Sequence, residues 1–122
     1  MIDTINIEEK FNLIDEYWTP KVIGELNGQY VKLAKVKGEF VWHDHENEDE
    51  LFMVVKGTLF MDFRDGRTTT TKTGEIIIVP KGVEHRPHTG DKEVWIMLFE
   101  PKAIQHTGDV KSELTVEEDV WI

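Results

Sequence analysis

The chain has 122 residues, 24 acidic and 14 basic side chains, a formal net charge of -10 and no cysteine. This length suits a single domain with one core. Because acidic side chains outnumber basic ones, we expect the protein to bind neither nucleic acid nor an anionic membrane. Because cysteine is absent, disulfides and thiolate metal sites are excluded, and any metal must be bound by imidazole and carboxylate.

The first segment is predicted to form a short helix. Ile7, Phe11 and Ile14 are spaced by four and three residues, which places them on one helical face, and Asn6 precedes them as an N-cap. The same opening lacks the basic and apolar regions of a signal peptide, and no stretch approaches about 18 consecutive apolar residues. We therefore expect a cytoplasmic protein.

From Val22 onward, short apolar runs alternate with turn dipeptides such as Asn27-Gly28 and Asp65-Gly66, a pattern typical of consecutive β-strands. The predicted strands are 21–26, 29–36, 39–44, 50–55, 58–63, 67–71, 75–79, 84–88 and 93–100. Their number and spacing predict an all-β sandwich or barrel rather than alternating βαβ units.

This pattern divides the chain into three parts. Residues 1–20 form an N-terminal extension with the short helix, residues 21–104 the barrel, and residues 105–122 a C-terminal tail. The tail ends in Val120-Trp121-Ile122, which we expect to pack on the barrel or on a partner subunit. The simpler alternative is a frayed terminus.

The stretch VWHDHENEDELF, residues 41–52, carries two histidines one residue apart. On a helix His43 and His45 would diverge, whereas on a strand they point the same way. ENED is then the connecting loop, and Glu50 opens the next strand opposite the histidines, about 5 Å away at Cβ. Glu50 is the predicted carboxylate ligand. We expect the other acids of the stretch to be solvated: Asp44, Glu46, Glu48 and Asp49. If Glu50 is not the ligand, Glu48 or Asp49 is the next candidate.

An isolated pair of strand histidines is more often exposed than bound to metal. A second cluster, TGEIIIVPKGVEHRPH at residues 73–88, changes that balance. Pro80 ends a strand and Gly82 permits a tight turn, which brings the chain to His85. Three imidazoles and one carboxylate suit a borderline divalent ion.

Two further histidines receive different predictions. His88 lies three residues beyond His85, so on a strand it faces the opposite way, and we expect it at the pocket rim or in a structural role. His106 follows the last predicted strand and is expected at the surface.

Together the two clusters resemble the two signature motifs of the cupin superfamily of small β-barrels, over about residues 30–100. The first motif is matched by Gly38, His43, His45, Glu50 and Gly57, and the second by Gly74, Pro80, Gly82 and His85. The chain is similar to compact single-domain cupins often called mannose-6-phosphate isomerase-like. It departs from the pattern at Gly38, which stands one residue closer to His43 than usual, and at Thr89, near the place where asparagine often closes the second motif.

This resemblance implies a jelly-roll β-barrel with His43, His45, Glu50 and His85 as ligands of a divalent metal ion, namely iron, manganese, nickel or zinc. Glu50 is the candidate catalytic residue, able to bind the ion and to relay a proton. Cupins of this size also resemble proteins that dimerise, and the predicted outward Trp42 and the terminal Trp121 supply apolar surface for a homodimer.

Strand alternation predicts the walls of the barrel around Glu50. Phe52 and Val54 point inward with it, as does Val41, while Trp42 points outward. In the last strand, either Trp95, Met97 and Phe99 or Val94, Ile96 and Leu98 line the interior, and the sequence leaves both sets open. Polar candidates for the pocket mouth are Tyr30, Lys32, Arg64, Glu84, Arg86 and His88.

Two functions are compatible with such a site. The first is a metal-dependent enzyme acting on a small oxygenated molecule, such as a sugar, an enol or a hydroxyacid, by isomerase or dioxygenase chemistry. The second is a binding or sensing module in which the metal is structural or holds a small ligand without turnover. A polar group in reach of the metal, beyond the four ligands, would favour the enzyme.

Overall fold

The computed structural model of the chain describes residues 2–102 and 119–122. His106 and most of the predicted tail lie outside these residues. The described part contains helix α1 (Ile7–Phe11) and strands β1 (Lys21–Leu26), β2 (Gln29–Val36), β3 (Glu50–Lys56), β4 (Thr58–Phe63), β5 (Thr68–Lys72), β6 (Ile76–Val79), β7 (His85–His88), β8 (Val94–Pro101) and β9 (Val120–Trp121). Each predicted strand that the structure contains agrees with the observed strand to within about one residue at each end.

The strands form two sheets in the jelly-roll arrangement, so the fold is the predicted all-β barrel with a short N-terminal helix. The larger sheet has the order β6-β3-β8-β2-β1-β9, and the smaller has the order β5-β4-β7. Consecutive strands β4 and β5 form a hairpin, whereas β3 and β8 pair across a long sequence separation. The chain passes from one sheet to the other between consecutive strands, as from β3 to β4 and from β7 to β8. These crossings bring distant residues to one interior.

The main core lies between the two sheets. Phe52 and Val54 point into it, 4% and 0% exposed, as strand alternation predicts. In β8 the inward set is Val94, Ile96 and Leu98, which settles the choice that the sequence left open. Val41 packs against the same core.

A second apolar cluster lies on the outer side of the larger sheet, under α1. Asn6 caps the helix by accepting a hydrogen bond from the Glu9 backbone N–H at 3.0 Å. Phe11 is fully buried and stacks on Trp95, with ring centroids 4.6 Å apart, and Ile14 is also buried. The helix therefore covers one part of this sheet face with Ile7 and Phe11, whereas Ile14, predicted on the same helical face, lies beyond the end of the helix and packs in the same cluster.

The predicted strand 39–44 is wrong. The segment runs antiparallel to β7 and makes two isolated bridges, Glu39 to His88 and His43 to His85. Four residues separate the bridges on the first segment and three on β7, so the register shifts by one residue and no continuous ladder forms. The His43 N–H still donates to the His85 carbonyl at 3.0 Å, and the His85 N–H returns a bond of 2.9 Å.

The entrance of this segment is fixed by Thr89, the residue near the place of the family's asparagine. Its side-chain Oγ1 accepts a hydrogen bond from the Gly38 N–H at 2.9 Å, and its own N–H donates to the Gly38 carbonyl at 2.9 Å. Gly38 has a φ of +84°, a conformation that L side chains rarely adopt. Thr89 thus joins the end of the second motif to the start of the first.

The end of the chain lies along the barrel. Val120 and Trp121 pair in parallel with Lys21 and Val22 of β1. The Trp121 ring meets the Tyr30 ring edge-on, with centroids 5.7 Å apart. Among the described residues, no helix has the length and apolarity needed to cross a membrane.

Candidate metal centre

Four buried side chains converge inside the barrel: His43, His45, Glu50 and His85. One potential ligand atom of each lies within 4.8 Å of the corresponding atoms of the other three. All four are at most 5% exposed. The structure thus brings together every residue that the sequence singled out as a metal ligand.

The route by which Glu50 reaches the histidines differs from the prediction. Glu50 was expected opposite His43 and His45 in one hairpin, but its ladder partner is Val79 of β6. The histidine segment is instead paired with His85, beside the smaller sheet. Because β3 belongs to the larger sheet, Glu50 faces the imidazoles across the barrel interior rather than along a ladder.

Backbone carbonyls fix the tautomers of two imidazoles. His43 Nδ1 lies 2.9 Å from the Val41 carbonyl oxygen, and His85 Nδ1 lies 2.9 Å from the Val83 carbonyl oxygen. A carbonyl can only accept, so each Nδ1 carries the proton and donates it. Nε2 of both rings is therefore left with a free lone pair directed into the site, as a metal ligand requires.

The atoms that face each other have no hydrogen-bond partner among the described residues. They are Nε2 of His43, His45 and His85 together with Glu50 Oε1. Glu50 Oε1 lies 3.4 Å from His45 Nε2 and 3.6 Å from His85 Nε2, close to the roughly 3 to 3.5 Å expected between ligand atoms that share one ion. Buried polar atoms are costly when unpaired, so this donor set fits a bound metal ion.

The electrostatics favour the ligating forms of these groups. Burial, together with the nearby His85 imidazole, lowers the pKa of His43 to about 4, so the ring is neutral at physiological pH. Burial also raises the pKa of Glu50, but close contacts with the His45 and His85 imidazoles outweigh it, and the net pKa lies below its usual range. A neutral imidazole and an ionised carboxylate are the forms that bind a cation.

Sequence reasoning missed a second buried carboxylate beside the site. Glu100 is 1% exposed and lies against Glu50. Its burial and the charge of Glu50 raise the pKa of Glu100 well above its usual value. Lys32 partly compensates this, because its Nζ lies 2.9 Å from Glu100 Oε1 and 2.7 Å from Asp119 Oδ1. The signal was present in strand alternation, since Glu100 shares the inward parity of Ile96 and Leu98.

A cavity with a volume of about 30 Å³ adjoins the ligand cluster, because His43 and Glu50 line it. Trp18 and Pro20 from the N-terminal extension also line it. The remaining lining residues are apolar: Ala34, Val36, Phe40, Phe52, Pro87, Ile96 and Leu98. This volume holds about two water-sized spheres.

None of the residues predicted at the pocket mouth lines this cavity within the described chain. Lys32 is buried against Glu100, and Tyr30 contacts Trp121. The others lie on the outer side of the smaller sheet or its adjoining turns: Arg64, Glu84, Arg86 and His88. Trp42 points outward as predicted, with the Arg64 guanidinium 3.9 Å from its ring centroid.

His88 has the structural role proposed as one of its two alternatives. Its Nε2 lies 2.9 Å from Asp62 Oδ1, and its ring stacks on Phe60, with centroids 5.3 Å apart. The same carboxylate accepts hydrogen bonds from Thr68 and Arg86. Although burial opposes it, these hydrogen bonds lower the pKa of Asp62 from 3.8 to about 2.

The Asp62 cluster predicts a pH-dependent contribution to stability. Because the folded pKa of Asp62 lies below the unfolded one, its contribution is complete above about pH 4 and is lost as the pH falls towards 2. Urea unfolding of Asp62→Asn should therefore show a deficit against the wild type at neutral pH that shrinks on acidification. Asp91→Asn, at an exposed turn, controls for loss of one negative charge. A deficit that stays constant between about pH 6 and pH 3 would contradict the assignment.

The fold and the site together define a small β-barrel with a buried imidazole and carboxylate cluster. The chain belongs to the cupin family, since residues 29–100 match the family Cupin_2, described as Cupin domain. The resemblance inferred from the two histidine motifs is thereby confirmed.

Similar proteins support the same placement. A crystal structure of a cupin-2 domain containing protein from Shewanella frigidimarina is 48% identical, with a TM-score of 0.78, and the match covers 80% of this chain and 94% of that one. Protein YdbB of Bacillus subtilis is 44% identical over 64 residues, which span 52% of this chain and 57% of that protein. Hydroquinone 1,2-dioxygenase PnpCD, in complex with Fe3+, shares the fold at 15% identity and a TM-score of 0.72, over 84% of this chain and 33% of that one.

Proposed function

We propose that the protein is a cytoplasmic, metal-dependent enzyme that acts on a small oxygenated molecule by isomerase or dioxygenase chemistry. His43, His45, Glu50 and His85 would hold a divalent iron, manganese, nickel or zinc ion. The observation that carries this proposal is the set of four buried ligand atoms without partners among the described residues, two of which, on His43 and Glu50, belong to residues that line a cavity. When bound, such an ion supplies Lewis acidity, and iron also supplies redox reactivity.

The chain's own residues have separate tasks in this proposal. The carbonyls of Val41 and Val83 hold two imidazoles in the ligating tautomer. The apolar cavity walls exclude water, which strengthens electrostatic interactions at the site. Of the cavity-lining residues described, His43 and Glu50 alone carry titratable groups. A neutral His43 has a single free lone pair, which the metal needs, whereas the Glu50 carboxylate has two oxygens, so Glu50 is the residue that would take up and return a substrate proton.

The alternative is a binding or sensing cupin with a structural metal, and one observation favours it. The cavity of about 30 Å³ is too small for a typical organic substrate in the described conformation. Glu100, the polar group beyond the four ligands, contacts Glu50 and Lys32 but does not line the cavity. It therefore does not by itself supply the second acid or base that would distinguish an enzyme.

Turnover by the metal-loaded protein tests the choice. Protein loaded separately with each of the four ions would be assayed for oxygen uptake with small enols and for solvent proton exchange into hydroxyacetone. We expect turnover with at least one ion and a loss of about 100-fold or more in Glu50→Gln. Glu84→Gln, which changes an exposed ion pair, is the matched control and should retain the wild-type rate.

Two outcomes would contradict the enzyme proposal. Absence of oxygen uptake and of proton exchange with every loaded ion would leave the binding module. Full activity in Glu50→Gln, with metal still bound, would remove Glu50 as the proton carrier while leaving the metal-dependent reaction intact.

We further propose that the protein is a homodimer. Ile76 and Ile78 of β6 are 55% and 54% exposed on adjacent outward positions of an edge strand. Their ladder neighbours Met53 and Leu51 extend this apolar face across β3. A symmetric contact between two copies would cover the patch, which is unfavourable to leave in water.

Ile78→Lys should convert the dimer to a monomer in sedimentation velocity at micromolar concentration, because it places a charge in the contact. Leu13→Lys, at a position 63% exposed elsewhere on the surface, is the control and should leave the dimer unchanged. A wild-type monomer at this concentration would contradict the proposal.

A further inference from the structure

We propose that Trp18 is a movable wall of the cavity and restricts the metal centre to small, flat ligands whose non-chelating part is apolar. The nature of the ligand's binding end rests on the proposed metal site. The role of Trp18 rests on the geometry of the N-terminal extension and can be tested without metal.

Trp18 is placed one aromatic ring away from the ligand cluster. Its indole is 9% exposed and stacks on Phe40, with centroids 4.7 Å apart and planes 16° from parallel. The Phe40 ring in turn meets the His43 ring edge-on at 5.4 Å. Trp18 Nε1 donates to the Lys37 carbonyl at 2.8 Å, which holds the indole over this end of the cavity.

The chemistry of the cavity wall restricts the ligand class. Apart from His43 and Glu50, the described lining residues offer no charged side chain, and the indole N–H of Trp18 is already bonded to Lys37. A phosphate, an ammonium group or a row of hydroxyls would lose its water on entering without gaining partners. Among small oxygenated molecules, this favours enols and phenols with an apolar remainder over sugars and their phosphates.

The cavity must enlarge to admit such a ligand. Its volume is about 30 Å³, whereas an apolar cavity that binds benzene measures about 150 Å³. The indole is the bulkiest group on the wall that does not come from a barrel strand. Displacing it would open the most space while leaving both sheets in place.

The backbone at Trp18 favours such a movement. Trp18 has a φ of +58°, in the strained left-handed region that bulky residues rarely occupy. Its N–H donates to the Lys35 carbonyl at 2.9 Å, and the neighbouring Tyr17 hydroxyl donates to Glu93 at an exposed position. Leaving this conformation relieves the strain, which offsets part of what is lost with the Phe40 stacking and with the hydrogen bonds to Lys35 and Lys37.

The first experiment measures access to metal-free protein. Carbethoxylation of His43 by diethylpyrocarbonate, followed by mass spectrometry, should be about tenfold faster in Trp18→Gly than in wild type, because the buried ring becomes accessible. Glycine is chosen because it tolerates the positive φ. Trp18→Phe, for which we expect an intermediate rate, replaces it as the test if Trp18→Gly unfolds the chain. Trp121→Ala, at a tryptophan 53% exposed, is the control. Equal rates in the Trp18 variants and Trp121→Ala would overturn the role of Trp18.

The second experiment measures ligand size and polarity with Co²⁺-loaded protein, followed by its visible absorption. Three probes share one chelating group: acetohydroxamate, benzohydroxamate and 4-carboxybenzohydroxamate. Trp18→Gly should bind benzohydroxamate about tenfold more tightly than wild type and acetohydroxamate with little change, because only the ring requires the indole to move. Wild type should bind the carboxylated probe about tenfold more weakly than benzohydroxamate, since its charge is left without a partner.

The outcomes separate the two proposals. Equal binding of the two aromatic probes would overturn the proposal that the ligand's non-chelating part is apolar. An unchanged affinity for benzohydroxamate in both Trp18 variants would overturn the proposal that Trp18 is a movable wall of the cavity. Failure of wild type to bind Co²⁺ would overturn the proposed metal site and with it the ligand class. The carbethoxylation rates would still decide whether Trp18 controls access.

Discussion

Lys32→Met is expected to lower the free energy of unfolding by about 3 to 5 kcal/mol, because it leaves a buried carboxylate without its cation. Lys32 is 3% exposed and bridges Glu100 and Asp119. Without it, Glu100 faces the charge of Glu50 with no compensation. Urea unfolding in the presence of EDTA, at about pH 8, would measure the effect on the chain alone.

The size of this loss should depend on pH. Burial and Glu50 raise the folded pKa of Glu100 above its unfolded value, so ionisation of Glu100 destabilises the folded state as the pH rises. The deficit of Lys32→Met should therefore grow as the pH rises above the usual titration range of a glutamate. Methionine fills a similar volume, which limits any contribution from a packing defect.

A double variant separates the charge from the packing. Lys32→Met combined with Glu100→Leu replaces the pair by apolar side chains and should be more stable than Lys32→Met alone. Lys72→Met, at an exposed position of β5, controls for the loss of one lysine. A deficit below about 1 kcal/mol in Lys32→Met, or no recovery of stability in the double variant, would show that the Lys32–Glu100 ion pair does not determine the stability of this part of the interior.

Removal of the metal by EDTA should lower the melting temperature of the protein by about 10 to 20 °C. A ligand that binds only the folded state at about 1,000 times its Kd adds about 4 kcal/mol. For a domain of about this size, each kcal/mol corresponds to about 3 to 5 °C. The reason for so large an effect is that the ion would satisfy four buried atoms that otherwise have no partner within the described chain.

The adjoining histidines supply a matched pair of controls. His85→Ala removes a proposed ligand and should abolish the response to EDTA, whereas His88→Ala, three residues away on the outer face of β7, should keep it. A melting temperature that is insensitive to both EDTA and added metal in the wild type would contradict a metal site of this strength.

Strand alternation and turn residues were enough to predict most of the barrel, whereas the convergence of the four candidate ligands was predicted from the two histidine clusters and the family resemblance. His43 and His45 share a parity, and Pro80 with Gly82 fixes where His85 begins. The errors lay in the strand predicted at residues 39–44 and in the neighbour assigned to Glu50. Local sequence indicates that two strands follow one another, but it does not show that the chain crosses to the other sheet between them.

What the sequence did not reveal depends on contacts between distant segments. Strand alternation indicates that Glu100 points inward, but its pairing with Lys32 depends on β2 and β8 being neighbours, which no local pattern shows. The position of Trp18 depends on a positive φ and on hydrogen bonds to Lys35 and Lys37, whereas its sequence context indicates only the end of a helical segment. Both features follow from tertiary packing, which overrides local preference.

The central claim, that one divalent ion binds at His43, His45, Glu50 and His85, is tested most directly by the metal content of purified protein. Elemental analysis would compare wild type, His45→Ala and His88→Ala after equal exposure to iron, manganese, nickel and zinc. We predict stoichiometric metal in wild type and His88→Ala, and a loss of about tenfold or more in His45→Ala. Equal metal in all three proteins, or none in wild type, would contradict the assignment of this cluster as a metal centre.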